Sequence, residues 1–291
     1  MSTAKAIKPK TTWPVGLEIA GFALFLVVLM PIFLVLINAS KDVFAVTNSP
    51  LALPEDWSLL WTNITNIWFD ENIRYQSSFF SSLIITLASL LFINLLSAQA
   101  AWVMARTQTK TSKIIFLVLV ASMVIPFQIV MLPLVTWFRS ITVTTGIPLL
   151  RSYWGIILAY IGFGTPISIF MYHGFVKGIP LELEEAASID GCSGLQTFYL
   201  VVFPILKPIH ATVAILNGIW IWNDYLLPLI VLGKGNQIMT VPLAVANFAG
   251  AFVKQWDFML AAVLMAMIPV IIAFLFAQKY IVRGMTAGSI K

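Results

Sequence analysis

The sequence predicts an all-α polytopic membrane protein: six transmembrane helices, with a cytoplasmic helix-turn-helix between the fourth and the fifth. Three observations predict it. The first is composition, since 60% of the 291 residues are hydrophobic and only 10% are charged. An average soluble domain is about 45–50% apolar and about 25% charged, and a soluble chain of this length needs more charge to cover its surface. Disorder is excluded because it requires few apolar residues. The second is a set of six apolar stretches of spanning length. The third is where Lys, Arg and Trp fall relative to those stretches. The 17 Lys and Arg exceed the 12 Asp and Glu, but they sit in short loops beside apolar runs. No basic stripe interleaved with aromatics occurs, so nucleic acid is excluded as a partner and membrane lipid is expected instead. The single cysteine, Cys192, cannot close an intrachain disulfide. His173 and His210 stand apart, so no metal cluster is expected.

An apolar helix needs about 20 residues to cross about 30 Å of hydrocarbon. The stretches 15–38, 79–104, 114–138, 153–175, 209–232 and 258–281 qualify. Lys5, Lys8 and Lys10 precede the first, as in a signal peptide, but the stretch is long for a signal core and carries no small-residue cleavage site. It is expected to be retained. The chain then divides into an N-terminal tail (1–14), a transmembrane domain (15–282) and a C-terminal tail (283–291).

Six spans place both termini on one side. That side holds Lys5, Lys8, Lys10, Arg106, Lys110, Lys113, Lys177, Lys207, Lys279, Arg283 and Lys291. The opposite loops hold Lys41, Arg74, Arg139, Arg151, Lys234 and Lys254. The excess marks the cytoplasmic side, so both termini are expected there. Trp13, Trp102, Trp137, Trp154 and Trp256 fall at expected span ends, where an amphipathic ring prefers the headgroup level. Trp57, Trp61 and Trp68, in the first outer loop, suggest a short interfacial or partner-facing helix. Pro31, Pro126, Pro133, Pro166, Pro228 and Pro269 lie inside spans. They favour a packed bundle with bends, because the freed carbonyls need neighbours.

The segment 176–208 has the most informative pattern. Lys177-Gly178-Ile179-Pro180 breaks the fourth span, and Pro180 suits the first turn of a new helix. Glu182, Glu184 and Glu185 follow, where negative charge complements a helix N-terminus. Glu182 and Glu184 are expected as solvated face charges. Leu183, Ala186 and Ala187 make a small apolar face. Asp190-Gly191 is a turn signal, with Asp190 shaping the turn. Leu195, Phe198, Tyr199, Val202 and Phe203 then follow helical spacing until Pro204 and Pro208. Taken alone, this pattern fits either a helix that enters a groove in a soluble partner or one packed on its own bundle.

The run Glu185-Ala186-Ala187-Ser188-Ile189-Asp190-Gly191-Cys192, with Phe198, Pro204 and Pro208 downstream, resembles the EAA motif of bacterial ABC importer permeases. Cys192 stands where Ala is common, and Phe203 precedes Pro204 where Leu is common. Ala101-Trp102-Val103-Met104-Ala105-Arg106, Trp222-Asn223-Asp224-Tyr225-Leu226 and the tail from Arg283 to Lys291 resemble the shorter permease of the maltose-type carbohydrate importers. The resemblance implies a bacterial inner-membrane subunit that pairs with a homologous permease, two ATPase subunits and an extracytoplasmic sugar-binding protein. It implies that 176–208 is a coupling element seated on an ATPase, with Glu185, Ala186, Ala187, Asp190, Gly191, Phe198 and Pro204 as its functional residues and Glu185 paired with a basic residue of that partner. It also implies that the C-terminal tail reaches the ATPase interface.

No G-x-x-x-x-G-K-[ST] loop and no arranged nucleophile–base set occurs, so an enzyme is not expected and no cofactor is assigned; ATP and Mg would be held by the partner ATPases. Within the bilayer, a carboxylate at Asp224 is costly and marks a cavity or a partner. Asn217, Trp220, Asp224 and Pro228 share one face of the fifth span, beside Asn223. They line a sugar passage or tie helices together; both readings stand. Asn94, Gln99 and Gln128 are weaker candidates of the same kind. Rival classes are a stand-alone secondary transporter or channel, which would need inverted repeats or paired intramembrane charges, and a membrane scaffold or assembly protein.

Overall fold

The structure is a computed structural model that describes residues 15–249 and 255–287, with side chains through 276. The expectations for residues 1–14, for Lys254, for the side chains of Lys279 and Arg283, and for 288–291 lie outside the described residues. The elements, in order, are α1 (Val15–Ala39), α2 (Val43–Asn48), α3 (Ser58–Phe69), α4 (Tyr75–Arg106), α5 (Lys110–Ser122), α6 (Phe127–Thr145) and α7 (Tyr153–Val176). They continue as α8 (Glu182–Ile189), α9 (Gly194–Ile205), α10 (Lys207–Asn223), α11 (Leu226–Val231), α12 (Val241–Asn247) and α13 (Trp256–Ala287). Among the described residues five helices are long and apolar enough to cross a membrane: α1, α4, α6, α7 and α13. The bent pair α9–α10 makes a sixth.

The first element, α1, is apolar around its whole circumference, and only Ile37, Asn38 and Ala39 at its end are buried. It lies against α13 but buries little of its surface there, so most of it needs lipid or another subunit around it. Its C-terminal end is tied down instead by polar contacts. Buried Asn63 of α3 donates Nδ2 to Ala39 O at 3.0 Å, and Lys41 donates Nζ to Ser49 O at 2.8 Å. Asp42 caps α2 by accepting from Ala45 N at 2.7 Å. The outer-loop tryptophans behave differently from one another. Trp57 precedes α3, Trp61 is 70% exposed, and Trp68 packs edge-on against Phe79 with ring centroids 5.6 Å apart.

The centre of the bundle is α4 against α7. Small buried residues on α4 (Ser78, Ser82, Ser89, Ser97) alternate with Ile85 and Ile93 along one face. Small side chains let helix backbones approach closely in a membrane. Tyr160 and Tyr172 of α7, Phe198, Val202 and Val213 complete this core. A second core gathers Tyr75, Trp222, Val241, Ala244, Ala261 and Ala262 between α4, α10, α12 and α13.

Two expected spans are not continuous helices. The stretch 114–138 is interrupted between α5 and α6 at residues 123–126. Pro126 has no N–H to give Ser122 O, the last residue of α5, and its ring crowds that carbonyl. Ile125 N takes Ser122 O at 3.2 Å in a tightened last turn instead. The interruption also puts Trp137 within α6 rather than at a span end. The stretch 209–232 stops at Asn223 and resumes as α11. Pro228 has the same relation to Asp224, and Asp224 Oδ1 accepts the Leu226 N–H at 3.0 Å. Pro31, Pro133, Pro166 and Pro269 remain inside helices.

Candidate functional site

The helical turn after α7 is built from residues the sequence makes legible. Gly178 N and Ile179 N close the end of α7 onto Phe175 O and Val176 O, each at 3.0 Å. Pro180 is followed by α8, whose first turn contains Glu182, Glu184 and Glu185. The end of α8 is a left-handed cap. Gly191 has φ +86°, Cys192 N reaches Ala187 O at 3.0 Å, and Gly191 N reaches Ser188 O at 3.1 Å. This pair of bonds closes orphan carbonyls only when the residue after the cap is left-handed, the conformation in which Gly pays no Cβ penalty. Asp190 stands at the cap itself.

Ser193 then starts α9 with a capping box. Its N–H donates to Gln196 Oε1 at 2.8 Å, and Gln196 N donates back to Ser193 Oγ at 3.4 Å. The Ser-x-x-Gln spacing is present in the sequence and is the signal that fixes the α9 start. The middle of α9, Thr197–Val202, widens into a π turn. Phe203 N therefore bonds Phe198 O, and Pro204 is accommodated inside the helix rather than ending it. The break comes two residues later, at Leu206, where α9 and α10 meet at 75°.

The side chains of this turn divide into two sets. Phe198 is fully buried, with Trp102 at 5.3 Å and Phe203 at 5.7 Å between ring centroids. Ala187 is buried as well. Glu185, Ala186, Asp190 and Pro204 are exposed, together with Leu183, Leu195 and Ile189, the last 86% exposed. The apolar face expected from Leu183, Ala186 and Ala187 is thus divided, with Ala187 turned inward.

One expectation is corrected here. Glu182 is exposed, but Glu184 is 9% exposed and is not a solvated charge. Its Oε1 accepts from Arg106 Nε at 2.8 Å, with Nη2 at 2.7 Å, and its Oε2 accepts from Trp102 Nε1 at 2.9 Å. Residues 184 and 187 are one turn apart on α8 and share its buried face. Arg106 Nη2 also donates to Ile179 O at 2.9 Å. Trp102 and Arg106 belong to the run Ala101-Trp102-Val103-Met104-Ala105-Arg106, whose spacing carries no sign that Glu184 is their partner.

The intramembrane candidates are brought near one another but not into one surface. Asn217 is 3% exposed and donates to Ser168 Oγ at 3.0 Å and to Val213 O at 2.9 Å, between α7 and α10. Asn223 is exposed and donates to Ile219 O at 2.8 Å. Asp224 is half-buried and accepts from Tyr160 at 3.2 Å. Trp220 packs edge-on against Tyr160 at 5.4 Å. Trp220 also borders a cleft of about 780 Å³ between the α5–α6 break and α7, where Met123, Pro133, Trp137, Phe163 and Pro166 line the wall. Deeper toward the helical turn, Tyr172 donates to Asn94 Oδ1 at 2.5 Å and contacts His210 Nδ1 at 2.6 Å, while His210 Nε2 reaches Phe203 O at 3.0 Å. Gln99 Nε2 donates to the Tyr199 hydroxyl at 2.7 Å.

Residues 98–287 match the family described as binding-protein-dependent transport system inner membrane component. The chain is 36% identical to a probable permease protein of a starch degradation products transport system from Thermoanaerobacterium thermosulfurigenes, over 94% of this chain and 96% of that one. It is 32% identical to a permease protein of a multiple sugar-binding transport system from Streptococcus mutans, over 91% and 93%. A melibiose, raffinose and stachyose import permease of Bacillus subtilis is 34% identical over 89% and 90%. The fold is that of a chain in the crystal structure of a bacterial ABC transporter involved in alginate import, with a TM-score of 0.74, 22% identity, and 95% and 99% of the two chains covered.

Proposed function

Because the chain belongs to the binding-protein-dependent transport system inner membrane components, we propose that it is the membrane-spanning permease subunit of an ATP-driven importer of oligosaccharides or related carbohydrates. Its permease relatives are named for starch products, multiple sugars and raffinose-type sugars, which supports a carbohydrate cargo. A homologous second permease would complete the passage and cover the lipid-type face of α1. Two ATPase subunits would supply the energy and hold ATP and Mg. An extracytoplasmic binding protein would deliver the sugar. Both termini would lie in the cytoplasm.

The observation that carries this reading is the surface of the helical turn. Glu185, Ala186 and Ile189 stand out from a short helix whose other side is locked into the chain. Exposed Ala186 beside the Glu185 carboxylate suits close seating in a groove with a basic residue in it. ATP closure of the two ATPases would then carry α8 with it and turn the bundle from inward-open to outward-open, provided ATP binds the closed state more tightly. The tail beyond Arg283 would add a second contact to the ATPase. On the passage side, exposed Trp220 and Asn223 offer an aromatic face and a hydrogen-bonding group of the kind sugars use, whereas Asp224, held by buried Tyr160, and Asn217 would serve helix packing. Expression of the chain with the genes beside it tests the reading. Recovery of an ATPase with the solubilised chain, and ATP-dependent sugar uptake by the reconstituted complex, are expected. A chain purified alone, with uptake that ignores ATP, overturns it.

A further inference from the structure

We infer that Arg106, Glu184 and Trp102 are positioning residues that make α8 move as one body with the end of α4, so that the stroke received at α8 enters the bundle through α4. The inference rests on the coupling role proposed above for α8. It goes further by naming where the motion is handed on.

Arg106–Glu184 is the one ion pair among the described residues, in a chain with only 10% charged residues. Its members are 21% and 9% exposed. A pair this withdrawn from water gives little net stability, because desolvation opposes the attraction; what it fixes well is geometry. Here both carboxylate oxygens are used, one by the guanidinium and one by the Trp102 indole. The guanidinium is used twice, on Glu184 and on Ile179 O between α7 and α8. Arg106 is the last residue of α4, so a single side chain ties together the ends of α4 and α7 and the start of α8.

The second helix of the turn is held at the same place. The Trp102 ring whose N–H is given to Glu184 packs against fully buried Phe198 of α9. Both arms of the turn thus grip the last turn of α4, one by charge and one by aromatic contact. From there α4 runs against α7 along the main core, and close-packed helices pass displacement on rather than absorb it. The direct chain connection to α10 is different, because it turns through 75° at Leu206.

The test uses the whole reconstituted complex, with ATPase subunits and binding protein, and three readouts: co-purification, ATP hydrolysis, and sugar transported per ATP. Glu184→Gln keeps the shape and an acceptor for Trp102 but removes the charge. It is expected to assemble and to hydrolyse ATP within about twofold of wild type, while sugar per ATP falls by about tenfold, in the range of ordinary coupling energies. Exchange of the charges, Arg106→Glu with Glu184→Arg, is expected to recover part of that loss. Wild-type sugar per ATP in Glu184→Gln overturns the inference. So does a loss of assembly that tracks the loss of uptake and is not relieved by the exchange, which would make the pair a folding element only. Failure of the wild-type chain itself to retain any ATPase removes the proposed function, and this inference with it, and is read before any variant.

Discussion

The Tyr160 hydroxyl of α7 donates to Asp224 Oδ2 at 3.2 Å, while the other oxygen of the same carboxylate accepts the Leu226 N–H at 3.0 Å. Asp224 thereby closes the break between α10 and α11 and ties it to the neighbouring helix. A half-buried carboxylate between membrane-spanning helices is retained with partners of this kind.

Asp224→Ala should lower the melting temperature of the purified complex, since a turn bond to Leu226 and an interhelical bond to Tyr160 are lost together, each about 1 kcal/mol. Asp224→Asn keeps one acceptor and should assemble, with uptake within about threefold of wild type. A changed sugar preference in an intact Asp224→Asn complex would instead put the carboxylate in the passage. Sugar competition assays on vesicles read the difference.

Reversing the exposed charge by Glu185→Arg should leave membrane insertion and abundance unchanged, because the side chain is exposed. Uptake should fall by about tenfold or more if a basic partner residue sits opposite, as like charges replace an ion pair. Quantitative blotting of membranes beside uptake checks both halves. Unchanged uptake means the contact is elsewhere on α8.

Gly191→Val should unwind the end of α8. At φ +86° a β-branched residue is strained by about 1–2 kcal/mol, and the cap bonds from Cys192 and Gly191 to Ala187 and Ser188 would be lost with it. Retention of the ATPase subunits during purification should drop. Gly191→Asn, which tolerates the left-handed region, should retain most of it.

Two glycines of α7 should respond in opposite ways to alanine. A Cβ at Gly155 would stand 1.7 Å from Leu149 O, a backbone atom that cannot swing aside, whereas one at Gly162 meets nothing within 4 Å. Gly155→Ala should reduce the yield of folded complex sharply, at a cost of about 3 kcal/mol or a displaced loop. Gly162→Ala should be neutral or stabilising by up to about 1 kcal/mol. Size-exclusion profiles and melting curves of the two variants make the comparison.

Much of the architecture is legible because a bilayer demands it locally. A run such as 79–104 is long and apolar whatever packs beside it, and the chain forms α4 there. Pro180, Asp190-Gly191 and Ser193-x-x-Gln196 mark the ends of α8 and the start of α9, since caps are satisfied by residues within a few positions. The prolines were ambiguous for the same reason in reverse. Six lie within expected spans, but only Pro126 and Pro228 break the helix; whether a neighbouring group takes over the freed carbonyl is a matter of packing.

Glu184 and Glu185 show where such reading ends. They are adjacent and identical, and nothing in their order says that one is buried and the other exposed. The rotation of α8 about its axis decides it, and that rotation is set by Arg106, 78 positions away from Glu184, and by the Trp102–Phe198 contact. Spans, caps and the likeness to a permease family follow from residues close together in the chain, because hydrocarbon and helix ends act over a few turns. The clamp on α4, the Tyr160–Asp224 bond and the withdrawal of Asn217 into the α7–α10 seam follow only from the assembled bundle, because each joins side chains that the covalent chain keeps apart.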